Sequence, residues 1–326
     1  MSVDAPPCAL GESPRWAHGA WWWVDAEAGT VWTADADLTA TGAAREVRSV
    51  LTTGGRVSLV HPASGGRLVV TDGTRMLVVD PRTGATVPWS QVELAAGWML
   101  NDGTADAAGR LWIGSVHPDR QRGAGSLHVV DTDGSVREVA SGLTLSNGMA
   151  WRSPNVLVHA DSLERCLWEH EVDSASGTVL RSRRATMATA ATAAIEGIEG
   201  IEGIEGIEGI EGIEGIEGIE GSRPLALPDG VAIDSDGGLW VAMYGAGQVW
   251  RLVGGRVQTV LEVPTQKVTS VALGGPDGRD LLVTTAQEGM DSAALAADPY
   301  AGHLFRARAD VPGQGLHNLA PQVSTP

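Results

Sequence analysis

The feature that most restricts the fold of this chain is a repeat. Six short apolar runs, each following a turn rich in Gly, Asp or Asn, recur along it: residues 21–24, 68–70, 111–113, 156–158, 239–241 and 281–283. Anchored on Trp22, Val69, Trp112, Leu157, Trp240 and Leu282, they are spaced by 47, 43, 45, 83 and 42 residues. Only the fourth interval is out of line, and it holds nine consecutive Ile-Glu-Gly triplets over residues 195–221. Without those 27 residues it falls to 56. A second run follows each first one, at Val31-Trp32, Leu77-Val78, Leu127-His128, Leu167-Trp168, Val249-Trp250 and Leu304-Phe305. A period of about 40 to 50 residues, made of short strands and Gly-rich turns with almost no helical periodicity, is the pattern of a β-propeller. The expected fold is all-β, a six-bladed β-propeller forming a single domain over residues 1–326. A sandwich or two small barrels would not repeat a turn-strand-turn-strand unit along the whole chain.

The triplet tract stands outside this pattern. Gly at every third position disfavours a helix, and the lack of Pro argues against a collagen-like triplet. A flexible insert in a surface loop is expected at 195–221. Because it lies just upstream of Pro228-Asp229-Gly230, the alternative is a lid leaning over a site there.

Charge and cysteine content exclude several function classes. The net charge is −17, but nine of the acids belong to the tract; the remainder has 31 acids against 23 bases. No basic stripe exists, so nucleic acid is not an expected partner. Cys8 and Cys166 form neither a disulfide framework nor a metal-binding pair. No basic-then-apolar leader and no apolar run of about 18 residues is present, so membrane and export are not expected and the reading is cytoplasmic. No feature fixes an oligomeric state. Of the 15 aromatic residues 12 are Trp, so Trp and the aliphatics must fill the blades, with Trp21, Trp22, Trp23, Trp112 and Trp240 read as packing residues.

The repeat also locates a candidate site. In a propeller the inner strands of all blades start around the central channel, so residues at one repeat position converge there. Glu12 lies 10 before Trp22, Asn101 11 before Trp112, Asn147 10 before Leu157 and Asp229 11 before Trp240. In the second and sixth units the place falls at Ser58-Leu59 and near Ser270-Val271, which offer no strong ligand. Asp229 is expected just before the first strand of its unit. Asn-Gly and Asp-Gly are also common turn dipeptides, and Asn101, Asn147 or Asp229 alone would read as one; Glu12 sits in no standard turn. Four coincident positions favour a shared site. Two carboxylates and two amides make an oxygen-only set suited to one divalent metal ion, Ca, Mg, Mn or Zn. His117 and His159 follow the third and fourth runs and are candidate proton shuttles.

The segments Leu10-Gly-Glu-Ser-Pro-Arg-Trp16, Asn101-Asp-Gly103, Asp106-Ala-Ala-Gly-Arg-Leu-Trp-Ile-Gly114, Leu145-Ser-Asn-Gly148, Ala160-Asp-Ser162, Pro228-Asp-Gly230 and Val268-Thr-Ser270 together resemble the gluconolactonase, regucalcin (senescence-marker protein) and luciferin-regenerating enzyme family. The match runs in order from about residue 9 to about 310. The resemblance implies a propeller holding one divalent metal on Glu12, Asn147 and Asp229, with Asn101 at the substrate and Asp161 steadying the loops nearby. It departs at Met99, where many sugar-lactone hydrolases of the family carry an Arg that binds the sugar. Asp119 falls near an acidic substrate contact of some relatives.

The expected function is a metal-dependent hydrolase that opens a small cyclic ester, most plausibly a sugar lactone, by attack of metal-activated water on the carbonyl. Asp229 is the expected ligand and general base, Glu12 and Asn147 the other ligands, Asn101 an orienting group, and Asn101, Met99 and Asp119 the substrate contacts. The alternatives are a calcium-binding regulatory propeller without turnover, a phosphotriesterase-like hydrolase on the same site, and a scaffold for protein partners. No Gly-x-Ser-x-Gly elbow supports a serine hydrolase.

Overall fold

The computed structural model describes residues 2–35, 47–186 and 226–323; the Ile-Glu-Gly tract, and with it the expected insert or lid, lies outside them. Among the described residues twenty-three strands, numbered in chain order, form six antiparallel sheets, each a meander of consecutive strands. These are the six blades of a β-propeller. The first strand of each, β1 (Gly11–Ala17), β5 (Val60–Ala63), β9 (Met99–Ala105), β13 (Ser146–Ser153), β17 (Leu227–Ile233) and β21 (Val268–Gly274), is innermost. Around the axis β1 touches β5 and β21, β9 touches β13, and β17 touches both β13 and β21. The first apolar runs of the sequence form the second strands, β2 (Ala20–Asp25), β6 (Arg67–Asp72), β10 (Leu111–Val116), β14 (Val156–Asp161), β18 (Leu239–Tyr244) and β22 (Asp280–Thr285).

Burial explains the runs. A second strand has neighbours on both edges and blades against both faces, so it reads as continuous apolar sequence rather than alternation. Trp21, Trp23 and Trp112 are completely buried between blades, and Trp22 and Trp240 nearly so. Two turn aspartates secure the repeats: Asp106 and Asp234 each accept the indole Nε1–H of the Trp six residues on, Trp112 and Trp240, at 3.0 Å. Each also pairs with an arginine, Arg110 and Arg251.

The ring is closed by its own ends. The sixth blade has three strands, β21, β22 and β23 (Phe305–Arg308), and the N-terminal segment lies along β23: Ser2 bridges Phe305 and the Val3 N–H donates to the Leu304 carbonyl at 2.8 Å. On the face opposite the candidate site, residues 312–322 cross the molecule as a strap. They bond to Ser235 in the fifth blade, then to Pro62 in the second and to Gly109 and Thr132 in the third. Gly313 to His317 cover an inner cavity of about 240 Å³ beneath Arg15 and Trp151. Among the described residues the single α-helix is α1 (Ser292–Ala297), and no helix is long and apolar enough to cross a membrane.

Candidate functional site

Five of the six inner strands carry a β-bulge close to their start. In β1, Glu12 pairs with Val24 but Arg15 with Trp22; in β9, Leu100 pairs with Ser115 but Gly103 with Ile113; in β13, Ser146 pairs with Asp161 but Met149 with His159. In β17, Pro228 pairs with Met243 but Val231 with Val241, and in β21, Thr269 is the extra residue. One surplus residue on the inner strand re-aims the local side chain, and Glu12, Asn101, Asn147 and Asp229 all lie at these irregularities. Asp229 is therefore inside its strand rather than before it: a bulge accommodates the Asp-Gly pair without ending the ladder. The bulge of β1 is held open by Ser13, a non-glycine residue at φ +50° whose hydroxyl bonds both the N–H and the carbonyl of Val60. Such backbone is costly and persists where surrounding contacts over-determine it.

The glycines after the site residues serve packing. A Cβ on Gly148 would stand 2.4 Å from the Val231 nitrogen, and one on Gly230 would stand 1.9 Å from the Ser270 hydroxyl. These glycines let neighbouring inner strands meet at the axis, so Asn147-Gly148 and Asp229-Gly230 are close-approach pairs rather than turn dipeptides.

Glu12, Asn101, Asn147 and Asp229 line one cavity of about 280 Å³ at the channel mouth, together with Met99. Glu12, Asn147 and Asp229 are under a tenth exposed. The hydrogen bonds of the two amides leave their carbonyl oxygens available: Asn101 Nδ2 donates to the Ser146 carbonyl at 2.9 Å, and Asn147 Nδ2 to the Ser162 hydroxyl at 3.1 Å. Asp229 Oδ1 is buried without a hydrogen-bond partner. Burial, with the charge of Asp102 next in weight, pushes the Glu12 carboxyl up to about 8. Burial, then the charges of Glu12 and Asp102, pushes Asp229 well above the carboxylate range. Beneath them Asp102 is itself compensated, accepting from Arg15 Nη2 at 3.0 Å and from the Gly103 N–H at 2.7 Å.

Two carboxylates facing each other out of water, one with an orphaned oxygen, are disfavoured by their own charge. A hard cation removes that penalty, and Glu12, Asn147 and Asp229 supply the oxygens it prefers. No three His, Cys, Asp or Glu side chains among the described residues form a group that could hold a metal ion; a cation here would have to draw further oxygen from the amides.

Asp25 and Asp161 hold the approach to Glu12 and Asn147 in the same way. Asp25 accepts the N–H groups of Ala9 and Leu10, three and two residues before Glu12. Asp161 accepts those of Thr144 and Leu145, three and two before Asn147. Other residues expected near the site lie elsewhere. Asp119 is on the exposed loop after β10, its N–H bonded to His117 Nδ1, and does not line the cavity, whereas its neighbour Arg120 does. His117 packs edge-on against Trp98, 5.1 Å between ring centroids. His159 is fully buried inside the fourth blade, bonded to Ser146 Oγ and His170, so neither histidine faces the cavity.

The sequence reading missed Arg56, Tyr244, Thr269 and Glu288, all of which line the cavity. Tyr244 ends β18 and Glu288 follows β22. The available signal was the antiparallel meander itself, which returns the end of every second strand to the face where the first begins. The half-buried Tyr244 hydroxyl is pushed up to about 12, first by burial and then by Glu288 and Asp229.

Residues 10–287 match the family model described as SMP-30/Gluconolactonase/LRE-like region. The chain belongs to this family. A protein of Sulfolobus acidocaldarius is 30% identical over 66% of the chain and 64% of its own length, so the alignment spans just under two thirds of that relative. Regucalcin of Danio rerio is 30% identical over 69% of the chain and 66% of its own length. Among solved structures, the calcium-binding protein regucalcin of Agrobacterium tumefaciens superposes with a TM-score of 0.77 at 22% identity, covering 98% of this chain and 96% of that one. A gluconolactonase of Xanthomonas campestris gives 0.63 at 15% identity, covering 96% and 97%. At these identities the likeness speaks for the propeller alone.

Proposed function

We propose that this member of the family is a metal-dependent lactonase, a hydrolase that opens a small cyclic ester. The observation that carries the reading is the orphaned Asp229 Oδ1 beside Glu12 at the base of an open cavity. Family membership and the gluconolactonase named among the structural relatives agree with it. Glu12, Asn147 and Asp229 would hold the ion. A divalent cation in that place supplies Lewis acidity toward an ester carbonyl and makes a nearby water more acidic.

The chain's own residues do the rest. Asn101, its Nδ2 committed to Ser146, presents Oδ1 to orient the attacking water. Asp229 takes the proton that the water loses as its oxygen bonds to the carbonyl carbon. When the ring C–O bond breaks, the same proton passes to the departing alkoxide, and the product is one hydroxy acid. Asp229 Oδ1, which no protein donor occupies, is free to accept that proton. The apolar walls keep competing water away from this exchange.

A second reading, calcium binding without turnover, is favoured by the relatives named regucalcin. One experiment separates the two: pH-stat assay of metal-stripped and reloaded protein on a panel of aldonolactones, plain and alkyl lactones and a phosphotriester. Turnover that EDTA abolishes and metal restores supports the lactonase. Metal binding with no ester opened overturns it in favour of the binding protein.

A further inference from the structure

Resting on the lactonase reading, we propose that the substrate is a lactone bearing a hydrocarbon substituent, and that Met99 sets this preference. Two residues before Glu12, Asn101, Asn147 and Asp229 stand Leu10, Met99, Leu145 and Leu227, and all four line the cavity. The oxygen set therefore sits beneath a collar of hydrocarbon contributed by four blades. Val116, at the end of β10, and Leu163, in the turn after β14, extend it.

Several polar groups around this collar are engaged with other protein atoms, while Arg56 Nε and Asp229 Oδ1 are buried without a partner. Ser162 Oγ accepts from Asn147, Arg56 pairs with Glu27, and Arg120 stands 4.0 Å from Glu288. Asn101 Nδ2 donates one hydrogen bond to the Ser146 carbonyl. A ring carrying several hydroxyls would have to leave some unpaired or break these bonds, and an unsatisfied buried hydroxyl is costly. An alkyl chain meets no such demand and gains with each methylene it buries.

The test compares kcat/KM for an unsubstituted lactone, the same ring with a four-carbon chain, and an aldonolactone of equal ring size. The protein is metal-reloaded, wild type or Met99→Arg. Apolar burial at this scale discriminates by about tenfold or more. The inference requires wild type to prefer the alkyl lactone to the plain ring by at least that factor. It also requires Met99→Arg to erase most of that preference, read as the ratio of kcat/KM for the alkyl lactone to that for the plain ring within the same variant. Met99→Gln, close to Met in size, carries the comparison should the arginine variant fail to fold. If wild type opens lactones but prefers the aldonolactone or ignores the chain, the inference falls and the lactonase reading stands. If no lactone is opened under any metal, both fall.

Discussion

Replacing Glu12 by Gln isolates the electrostatic tension at the base of the cavity. The Glu12 carboxyl rises from 4.5 to about 8 in the folded chain. The folded state then binds a proton that the unfolded state has released, throughout the window between those values. Stability is lost as pH rises through the window, at about 1.4 kcal/mol per pH unit for a full proton difference. Near pH 7.5 that amounts to about 4 kcal/mol. Water screening in an open cavity reduces the figure to about 2 kcal/mol. Gln keeps the size and removes the charge, so metal-free Glu12→Gln should melt about 4 to 8 °C above metal-free wild type at that pH, and the two should converge near pH 5. Calorimetry after EDTA treatment, from about pH 5 to about pH 8, reads the difference directly. Added divalent cation should raise the wild-type midpoint steeply and the variant's hardly at all, because only wild type retains both carboxylates. A metal-free variant less stable than wild type at pH 7.5, or a wild-type midpoint that is flat across the window, would refute the reasoning.

Three other outcomes follow from the geometry. In Gly230→Ala the new methyl would meet Ser270 Oγ at 1.9 Å and Ser270 Cα at 2.6 Å; a loss of about 2 to 3 kcal/mol with a parallel fall in turnover is expected, and wild-type melting would show that the strands do not approach so closely. Asp161→Ala strands the Thr144 and Leu145 N–H groups and should cost about 2 to 4 kcal/mol in urea unfolding, with weaker metal affinity in a titration; unchanged affinity would separate this carboxylate from the site. Burial holds His170 down to about 4 and, with the neighbouring His170, holds His159 well below 6.5, so stability should fall as pH drops below about 6.5, where the unfolded chain takes up protons first. His170→Gln should flatten that acid limb in metal-loaded protein, and an unaltered slope between pH 6.5 and 5 would remove the pair from its cause.

The period of the apolar runs was enough for the six blades, because a strand enclosed on both edges and both faces leaves a continuous hydrophobic trace in Trp21–Val24 or Leu239–Val241. The run marks the second strand of each blade, however, and the inner strand carries the site. Glu12, Asn101, Asn147 and Asp229 were found by counting back from it, but the bulges that aim them are invisible in sequence: Thr269 comes to the cavity where counting led to Ser270. The glycines of Asn-Gly and Asp-Gly suit a turn as well as a close approach, and only the facing strand decides between them. Arg56, Arg120, Tyr244 and Glu288 come from loops and strand ends, where no period operates. Asp119 illustrates the same difficulty: in an irregular loop a shift of one residue separates a side chain in solvent from Arg120 at the rim.

The strap on the far face has a mechanical consequence. A ring zipped shut only between Ser2 and Phe305 could spring apart at that seam like a split washer. Residues 312–322 instead run as a crossbar from the fifth blade to the second and third, nearly a full diameter away. Peeling off the N-terminal segment would leave this second fastener in place, so opening the circle requires two separate releases at opposite sides of the molecule.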